Sequence, residues 1–233
     1  TVDDLRLNKT WEVPTGSLGL IWQTTPEWAV TGNVAMGVRV PTYSDALNTG
    51  VPVFATGIAS VPSPDVEPEH SITYEISLRH DSSVGWGSLT GYYTQLDDLL
   101  VSVDDGTITV PGVGTVTAQK RVNKGRGYVT GAEFEIGVRI TDNWTAFGNA
   151  TWTRGQDTDA DVPLRFIPPL NGLVGLRRDS DSRRWWTEGV VVLVDRLRRH
   201  APQDEIDAGF STDPGLGSPN TTTNPPLRSD YDI

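Results

Sequence analysis

Few residues in this sequence have the type and spacing that catalysis or metal binding requires. Its three histidines, His70, His80 and His200, are isolated: none belongs to a His-x-x-x-His pair or to a glutamate-flanked pair. A zinc site is not expected, because zinc needs several such ligands held together. The segment GRGYVTG (125–131) lacks the glycine spacing of a dinucleotide-binding or phosphate-binding loop. We predict no catalytic residue, no metal site and no cofactor, and hence that the protein is not an enzyme.

The acidic segment DTDAD (157–161) carries carboxylates at alternate positions, as calcium-binding loops do. In an EF-hand loop, however, the sixth position is glycine and the twelfth is a bidentate glutamate. Val162 and Pro168 occupy those two positions here. We therefore interpret the segment as a solvated acidic loop.

Six charged residues within or at the ends of predicted strands are candidates for a functional surface. One interpretation is that they line a polar interior and contact a ligand or another domain of the same protein. The other is that they pair with charges on neighbouring strands and only satisfy the polar face of the sheet. The second interpretation is favoured for any single residue. The candidates are Arg39, Glu75, Arg79, Glu133, Glu135 and Arg139.

A strict alternation of side chains positions these charges. From Thr130 to Ile140, one parity carries apolar residues such as Phe134 and Ile136, while the other carries Glu133, Glu135 and Arg139. Successive side chains of a strand point to opposite faces of a sheet. The pattern therefore predicts a strand with one apolar and one polar face.

Alternation and turn signals along the whole chain predict an all-β fold, an antiparallel up-and-down meander of about eight strands. The predicted strands are 15–24, 28–40, 71–81, 86–97, 127–141, 144–155, 170–179 and 185–197. Short connections (24–27, 81–85, 141–143 and 179–184) alternate with long ones (41–70, 98–126 and 156–169). All the short turns are therefore expected at one end of the sheet.

Six of the eight tryptophans stand beside the short turns. A row of indoles is typical of a membrane interface, because the ring is apolar while its N–H needs a polar partner. A soluble β-sandwich capped by tryptophans is the alternative, although a sandwich core favours tryptophan in mid-strand. The predicted interface residues are Trp22, Trp28, Trp86, Trp144, Trp185 and Trp186.

Strands of about ten residues with one apolar and one polar face are the signature of a transmembrane β-barrel. We therefore expect the apolar face to contact the lipid bilayer and the polar face to line a lumen. The net charge of −11 argues against nucleic acid as a partner, since phosphate binding needs a basic surface. No signal peptide is visible at TVDDLRLNKT, which is also what an internal fragment would show.

Three stretches of the chain resemble a known family. MGVRVPTYSDAL (36–47) is similar to a Gly-Phe-Arg-Ala-Pro motif followed by Ser-Asp-Leu, and SPDVEPEHSITYEISLRH (63–80) resembles Asn-Pro-Asp-Leu-Lys-Pro-Glu leading into a Tyr-Glu strand. The stretch 121–155 resembles Asn-x-Gly-x-Ala-x-x-x-Gly-x-Glu and the hairpin behind it. In this order they resemble the C-terminal barrel region of TonB-dependent outer-membrane receptors. Val38, Val66 and Glu67 depart from the usual residues.

The resemblance implies that residues 1–233 are part of the β-barrel domain of a Gram-negative outer-membrane receptor. Barrels of this kind have about 22 strands and a plugged lumen. The implied partners are the lipid bilayer, an N-terminal plug domain of the full-length chain, the TonB energy-transducing system and a small-molecule ligand. The implied function is uptake of a ferric siderophore, cobalamin, haem or oligosaccharide. By this resemblance, we expect residues 1–233 to include neither the plug nor the last strands and terminal aromatic residue of the family.

Two other functions remain open from the sequence. The first is a soluble or surface β-domain that binds a polysaccharide or a protein, with the tryptophans as sugar platforms. The second is a smaller, closed eight-stranded barrel that serves as a pore or anchor. Among the candidate charges, Arg39 is a better candidate than most, because the family motif covers it.

Overall fold

The computed structural model describes residues 9–47, 57–197, 199 and 201. His200 lies outside these residues. Within the described part, the chain forms ten strands and one single-turn helix. Their bounds are β1 (Gly16–Gln23), β2 (Trp28–Arg39), α1 (Tyr43–Leu47), β3 (Ile58–Ser60), β4 (Glu69–Asp81), β5 (Gly85–Val110), β6 (Gly114–Thr141), β7 (Trp144–Asp157), β8 (Val162–Pro163), β9 (Asn171–Asp179) and β10 (Trp186–Val194).

The strands pair in the order β1-β2-β4-β5-β6-β7-β9-β10. Each long strand therefore pairs with the next long strand along the chain, and β1 and β10 stand at the two ends of the order. Two short strands lie off this path: β3 pairs in parallel with β6, and β8 pairs antiparallel with β7. The predicted fold class, an antiparallel meander of about eight strands, is confirmed. No helix in the described ranges has the length and hydrophobicity to span a bilayer.

The largest difference from the predicted strand bounds lies between residues 98 and 126. We expected a long connection there, but β5 continues to Val110 and β6 begins at Gly114. Gly112 makes the tight turn possible, since its φ of 81° is a conformation that favours glycine, and the Val113 N–H donates to the Val110 carbonyl (3.1 Å). The Gly and Asp residues of DDGTITVPGVG suggested a loop, whereas its β-branched residues favour a strand.

In the described part, the chain divides into two compact units. Unit 1 comprises residues 9–17, 35–47, 57–73 and 95–127, and unit 2 comprises residues 18–34, 74–94, 128–197, 199 and 201. The small core of unit 1 is formed by Ala46, Leu47 and Val66, with Leu100 packed against them. β3 extends this unit through the pairs Ile58–Thr117, Ala59–Ala118 and Ser60–Gln119.

Unit 2 is a sheet with two different faces. The register of β7 and β9 places Trp144, Ala146 and Gly148 opposite Arg178, Leu176 and Val174, and β10 adds Val191 and Leu193 to the same side. We name this side, which also carries the Phe134 and Ile136 side chains of β6, the apolar face. The side of Arg79, Glu135, Arg139 and Thr145 is the polar face. Large apolar residues stay open to solvent, as Leu20 (74%) and Ile76 (63%) do.

Aromatic rings cover glycines on the polar face of unit 2. A Cβ at Gly137 would come within 2.2 Å of the Trp86 ring, and a Cβ at Gly175 within 2.3 Å of the Phe147 ring. Tyr92 crosses Gly131 in the same way, and its hydroxyl lies 3.0 Å from the Thr153 hydroxyl. Because glycine has no side chain, each of these positions makes room for a ring from the neighbouring strand. These contacts fix the pairing of β5, β6, β7 and β9 on this face.

Candidate functional site

Three of the six predicted charges meet in one cavity on the polar face of unit 2. Arg79, Glu135 and Arg139 line this cavity of about 540 Å³ near the short turns, together with Glu27 and Asp81. Glu75 lines a different cavity, of about 670 Å³, with Tyr92 and Thr130. Glu133 and Arg39 are not among the residues that line either cavity. The structure therefore brings together half of the predicted set.

Arg139 is engaged with the turn between β4 and β5. Its Nη1 donates to the carbonyls of Ser82 (2.7 Å) and Ser83 (3.1 Å), and its guanidinium carbon lies 5.5 Å from the Trp86 ring centroid. Cations are attracted to the face of an indole ring at this distance. Arg139 thus contacts both a turn and an aromatic ring at the short-turn end of the cavity.

The tryptophans that we predicted as one interface belt are divided between the two faces. Trp28 stacks on His80, with ring centroids 4.3 Å apart, and Arg178 lies over Trp144 at 5.6 Å. Trp22 shares the parity of Leu18 and Leu20 and is 66% exposed. Trp22, Trp28 and Trp144 lie on the apolar face, and the exposed Trp185 lies in the turn before β10; their membrane-interface role stays a prediction.

Trp86 and Trp186 correct that prediction, because both lie on the polar face. Trp86 covers Gly137. Trp186 pairs in register with Asp179, and the guanidinium carbon of Arg177 lies 4.5 Å from its ring centroid. Closeness to a turn along the sequence does not determine the face, since a shift of one residue reverses the side to which a side chain points.

Arg39 belongs to a second site, in unit 1. Its Nη1 donates to Asp45 Oδ2 at 3.0 Å, and its Nε donates to Glu69. The other oxygen of Asp45 accepts a hydrogen bond from Arg121 Nη1. Glu69 Oε1 also accepts the Leu100 N–H, at 2.8 Å. We name Arg39, Asp45, Glu69 and Arg121 the loop clamp, because together they join the 40–68 connection to strands β2, β4, β5 and β6.

Asp45 is the centre of the loop clamp and also the cap of helix α1. Thr42 precedes the helix, its backbone N–H donates to Asp45 Oδ2 (2.8 Å), and the Asp45 N–H donates to the Thr42 hydroxyl (3.3 Å). This is a capping box with aspartate in the place of the usual glutamate. Burial alone would raise the pKa of Asp45, but the hydrogen bonds from Thr42 and Arg39 outweigh burial and lower the pKa below its ordinary value.

Further hydrogen bonds hold the connection near the loop clamp. The Ser63 N–H donates to the Ala46 carbonyl (2.6 Å), and the Arg121 N–H donates to the Ser63 hydroxyl (2.8 Å). Asn123 bonds to both backbone groups of Glu67, accepting its N–H and donating to its carbonyl, each at 2.8 Å. The connection therefore has a fixed path wherever the structure describes it.

The sequence contained a signal for the loop clamp that our prediction missed. Asp45, Glu69 and Arg121 all fall within the three stretches that carry the family resemblance. Their charges lie in apparent loops or at strand ends, so alternation did not single them out. The described residues contain no group of three or more His, Asp or Glu side chains arranged to hold a metal ion.

The fold agrees with a comparison against protein families. Residues 2–226 match the family described as TonB dependent receptor-like, beta-barrel. Because the match covers nearly all of the chain, the protein belongs to this family of outer-membrane receptors, and its location is the outer membrane.

Individual relatives are more distant. The chain is 28% identical over 155 residues to the iron-regulated outer membrane virulence protein of Vibrio cholerae serotype O1, covering 64% of this chain and 24% of that protein. It is 29% identical over 100 residues to the vitamin B12 transporter BtuB of Photobacterium profundum, covering 42% and 14%. The chain thus spans a quarter or less of the length of these relatives.

Solved structures show the same fold at lower identity. The siderophore receptor PirA from Acinetobacter baumannii superposes with a TM-score of 0.64 at 18% identity, over 85% of this chain and 31% of that one. The copper transporter OprC superposes with a TM-score of 0.63 at 17% identity, over 80% and 27%. At such identities these structures support the barrel fold and carry no information about the ligand.

Proposed function

We propose that the receptor containing this chain takes up a scarce solute across the outer membrane by TonB-coupled active transport. The observation that carries the proposal is the family match over residues 2–226. In this proposal the apolar face contacts lipid, while the polar face borders the lumen that a plug domain of the same protein occupies. The long connections face the cell exterior and contact the solute first.

A ferric siderophore is the solute class that the relatives favour. The V. cholerae relative, which is 28% identical over 155 residues, is named as iron-regulated. Cobalamin is the second class, since BtuB is named as a vitamin B12 transporter. Haem and oligosaccharides are further classes that the family resemblance leaves open. The soluble polysaccharide- or protein-binding domain is the less favoured alternative, because it does not account for the exposed apolar face.

Uptake by whole cells tests this proposal. Cells that express the complete receptor and lack their own iron and cobalamin receptors would be given iron-55 siderophores or labelled cyanocobalamin. We expect uptake of one class, and we expect loss of that uptake when the TonB system is deleted. Equal accumulation with and without TonB would contradict active transport and favour a passive pore or a surface-binding role.

The orientation of the barrel predicts which loops an antibody reaches. An epitope inserted beside Gly112, in the turn between β5 and β6, should be labelled on intact cells. The same epitope beside Ser83, in the turn between β4 and β5, should be labelled only after the outer membrane is permeabilised. The two turns lie at opposite ends of β5. The reverse labelling pattern would invert the topology and remove the long connections from solute capture.

A further inference from the structure

A basic pocket lies at the end of β7 away from the short turns. It has a volume of about 310 Å³, and Arg154, Arg196 and Arg199 line it together with Trp152 and Asp195. Arg154 shares the parity of Trp152 and therefore lies on the apolar-face side of β7. Arg199 is held there by a hydrogen bond from its Nη2 to Gln156 Oε1 (2.6 Å). All three arginines are exposed, so their guanidinium groups are accessible to a ligand at the surface.

The surrounding acidic groups leave the pocket basic. Asp195 is the one carboxylate among the residues that line it. Asp161 accepts a hydrogen bond from Gln156 Nε2 (2.9 Å), and Asp157 accepts the N–H groups of Asp159 and Ala160, each at 2.9 Å. These carboxylates order the neighbouring loop. Three guanidinium groups facing one carboxylate give an excess of positive charge, and guanidinium geometry matches phosphate oxygens.

An apolar groove adjoins the basic pocket on the same face. It has a volume of about 540 Å³ and is lined by outward side chains from four strands, among them Ile136, Ala150, Val174 and Leu193. The register places Gly172 between Ala150 and Leu193, so its floor is made of small residues. Leu170 and Asp195 line both the groove and the pocket. The two are therefore continuous.

We propose that the basic pocket and the apolar groove form one binding site for a membrane lipid with an anionic, phosphate-bearing headgroup. The phosphate contacts Arg154, Arg196 and Arg199, and an acyl chain lies in the groove over Ala150. The charge of the pocket and the apolar lining of the groove, joined on the face assigned to lipid, select a molecule with these two parts. The site rests on the proposed membrane placement of the apolar face, and it does not depend on which solute is transported.

Lipid binding to the purified, complete receptor tests the site. The receptor would be delipidated in detergent, given phosphatidylglycerol or phosphatidylcholine, and examined by native mass spectrometry. We expect retention of phosphatidylglycerol over phosphatidylcholine, since both carry a phosphate but only the first is anionic. We expect the triple variant, with Arg154→Gln, Arg196→Gln and Arg199→Gln, to bind phosphatidylglycerol roughly a hundredfold more weakly. Each arginine alone contributes about a tenfold change or less to the affinity.

Two matched controls separate a specific site from general charge or hydrophobicity. Arg178→Gln removes an arginine from the same face at the opposite strand ends, and should leave binding unchanged. Ala150→Leu should fill the groove and weaken binding, whereas Ala146→Leu makes the same change on the same strand outside the groove and should not. Equal losses in Arg178→Gln and the triple variant, or in the two alanine variants, would overturn the proposal.

Inorganic phosphate distinguishes a lipid site from a simple anion site. We expect it to compete weakly, because it offers no acyl chain to the groove. Displacement of phosphatidylglycerol by phosphate at equal concentration would show that the groove contributes nothing, and would overturn the lipid assignment. These measurements use no transport step, so that they succeed or fail separately from the uptake experiment.

Discussion

Replacing Ile136 with arginine is expected to impair folding of the complete receptor into a bilayer far more than replacing Glu135 with arginine. Ile136 lies near the middle of the alternating part of β6 and points to the apolar face. The Cγ1 atom of Ile136 would lie 3.9 Å from a Cβ added at Gly87, on the adjacent strand β5. An arginine at mid-bilayer depth on a lipid-facing strand costs about 2–4 kcal/mol. The folded fraction in lipid vesicles should fall accordingly.

The neighbouring position is the matched control. Glu135 lines the polar cavity with Arg79 and Arg139, so an arginine at position 135 meets like charges in a wet environment rather than hydrocarbon. Repulsion between exposed charges is screened by water and salt, and costs less. Folding would be followed by heat-modifiable migration on gels and by protease resistance in vesicles. Equal impairment by the two variants would contradict the assignment of the two faces.

Alternation predicted most of the sheet because it is a local signal. A strand with one buried and one wet face must place its apolar residues at every second position, so β2, β4, β7 and β9 could be read from the sequence. The extension of β5 to Val110 was missed because Gly106 and Gly112 are also turn signals. Only the pairing of the two strands shows that those glycines lie within or at the end of a hairpin.

The contacts around the candidate sites could not be predicted in the same way. Arg121 and Asp45 are 76 positions apart, and the fold alone brings them together. Trp86 turns toward the polar face because Gly137, on the next strand, leaves space for its ring. Such relationships depend on the register between strands, which the sequence of either strand alone does not contain. Motif resemblance could have identified the loop clamp, since all four of its residues fall within the stretches that resemble the family.

Replacing Asp45 with asparagine is expected to loosen the 40–68 connection. The side chain of Asp45 is only 9% exposed, whereas those of Arg39 and Arg121 are 49% and 41% exposed. Asparagine can still cap α1, but it leaves Arg121 without its carboxylate and Arg39 with Glu69 alone. Removing a charged acceptor of buried hydrogen bonds costs about 1–3 kcal/mol, and partial exposure of the two arginines places the loss at the lower end of that range. Faster protease cleavage within the connection, mapped by mass spectrometry on the complete receptor, would measure it.

Asp105→Asn is the matched control for the loop clamp, and pH is the second variable. Asp105 pairs with Lys120 in the same unit, but both side chains are about 40% exposed, and exposed pairs contribute about 1 kcal/mol or less.

Since the folded pKa of Asp45 is lowered, the contribution of Asp45 to stability is fully present above the ordinary aspartate pKa of about 3.9. That contribution is lost as the pH falls through the folded value. Protection of the connection should therefore decrease below about pH 4 in the wild-type receptor, with a smaller change in Asp45→Asn. Identical pH profiles for the wild type and Asp45→Asn would show that other carboxylates, such as Glu69, hold the connection instead.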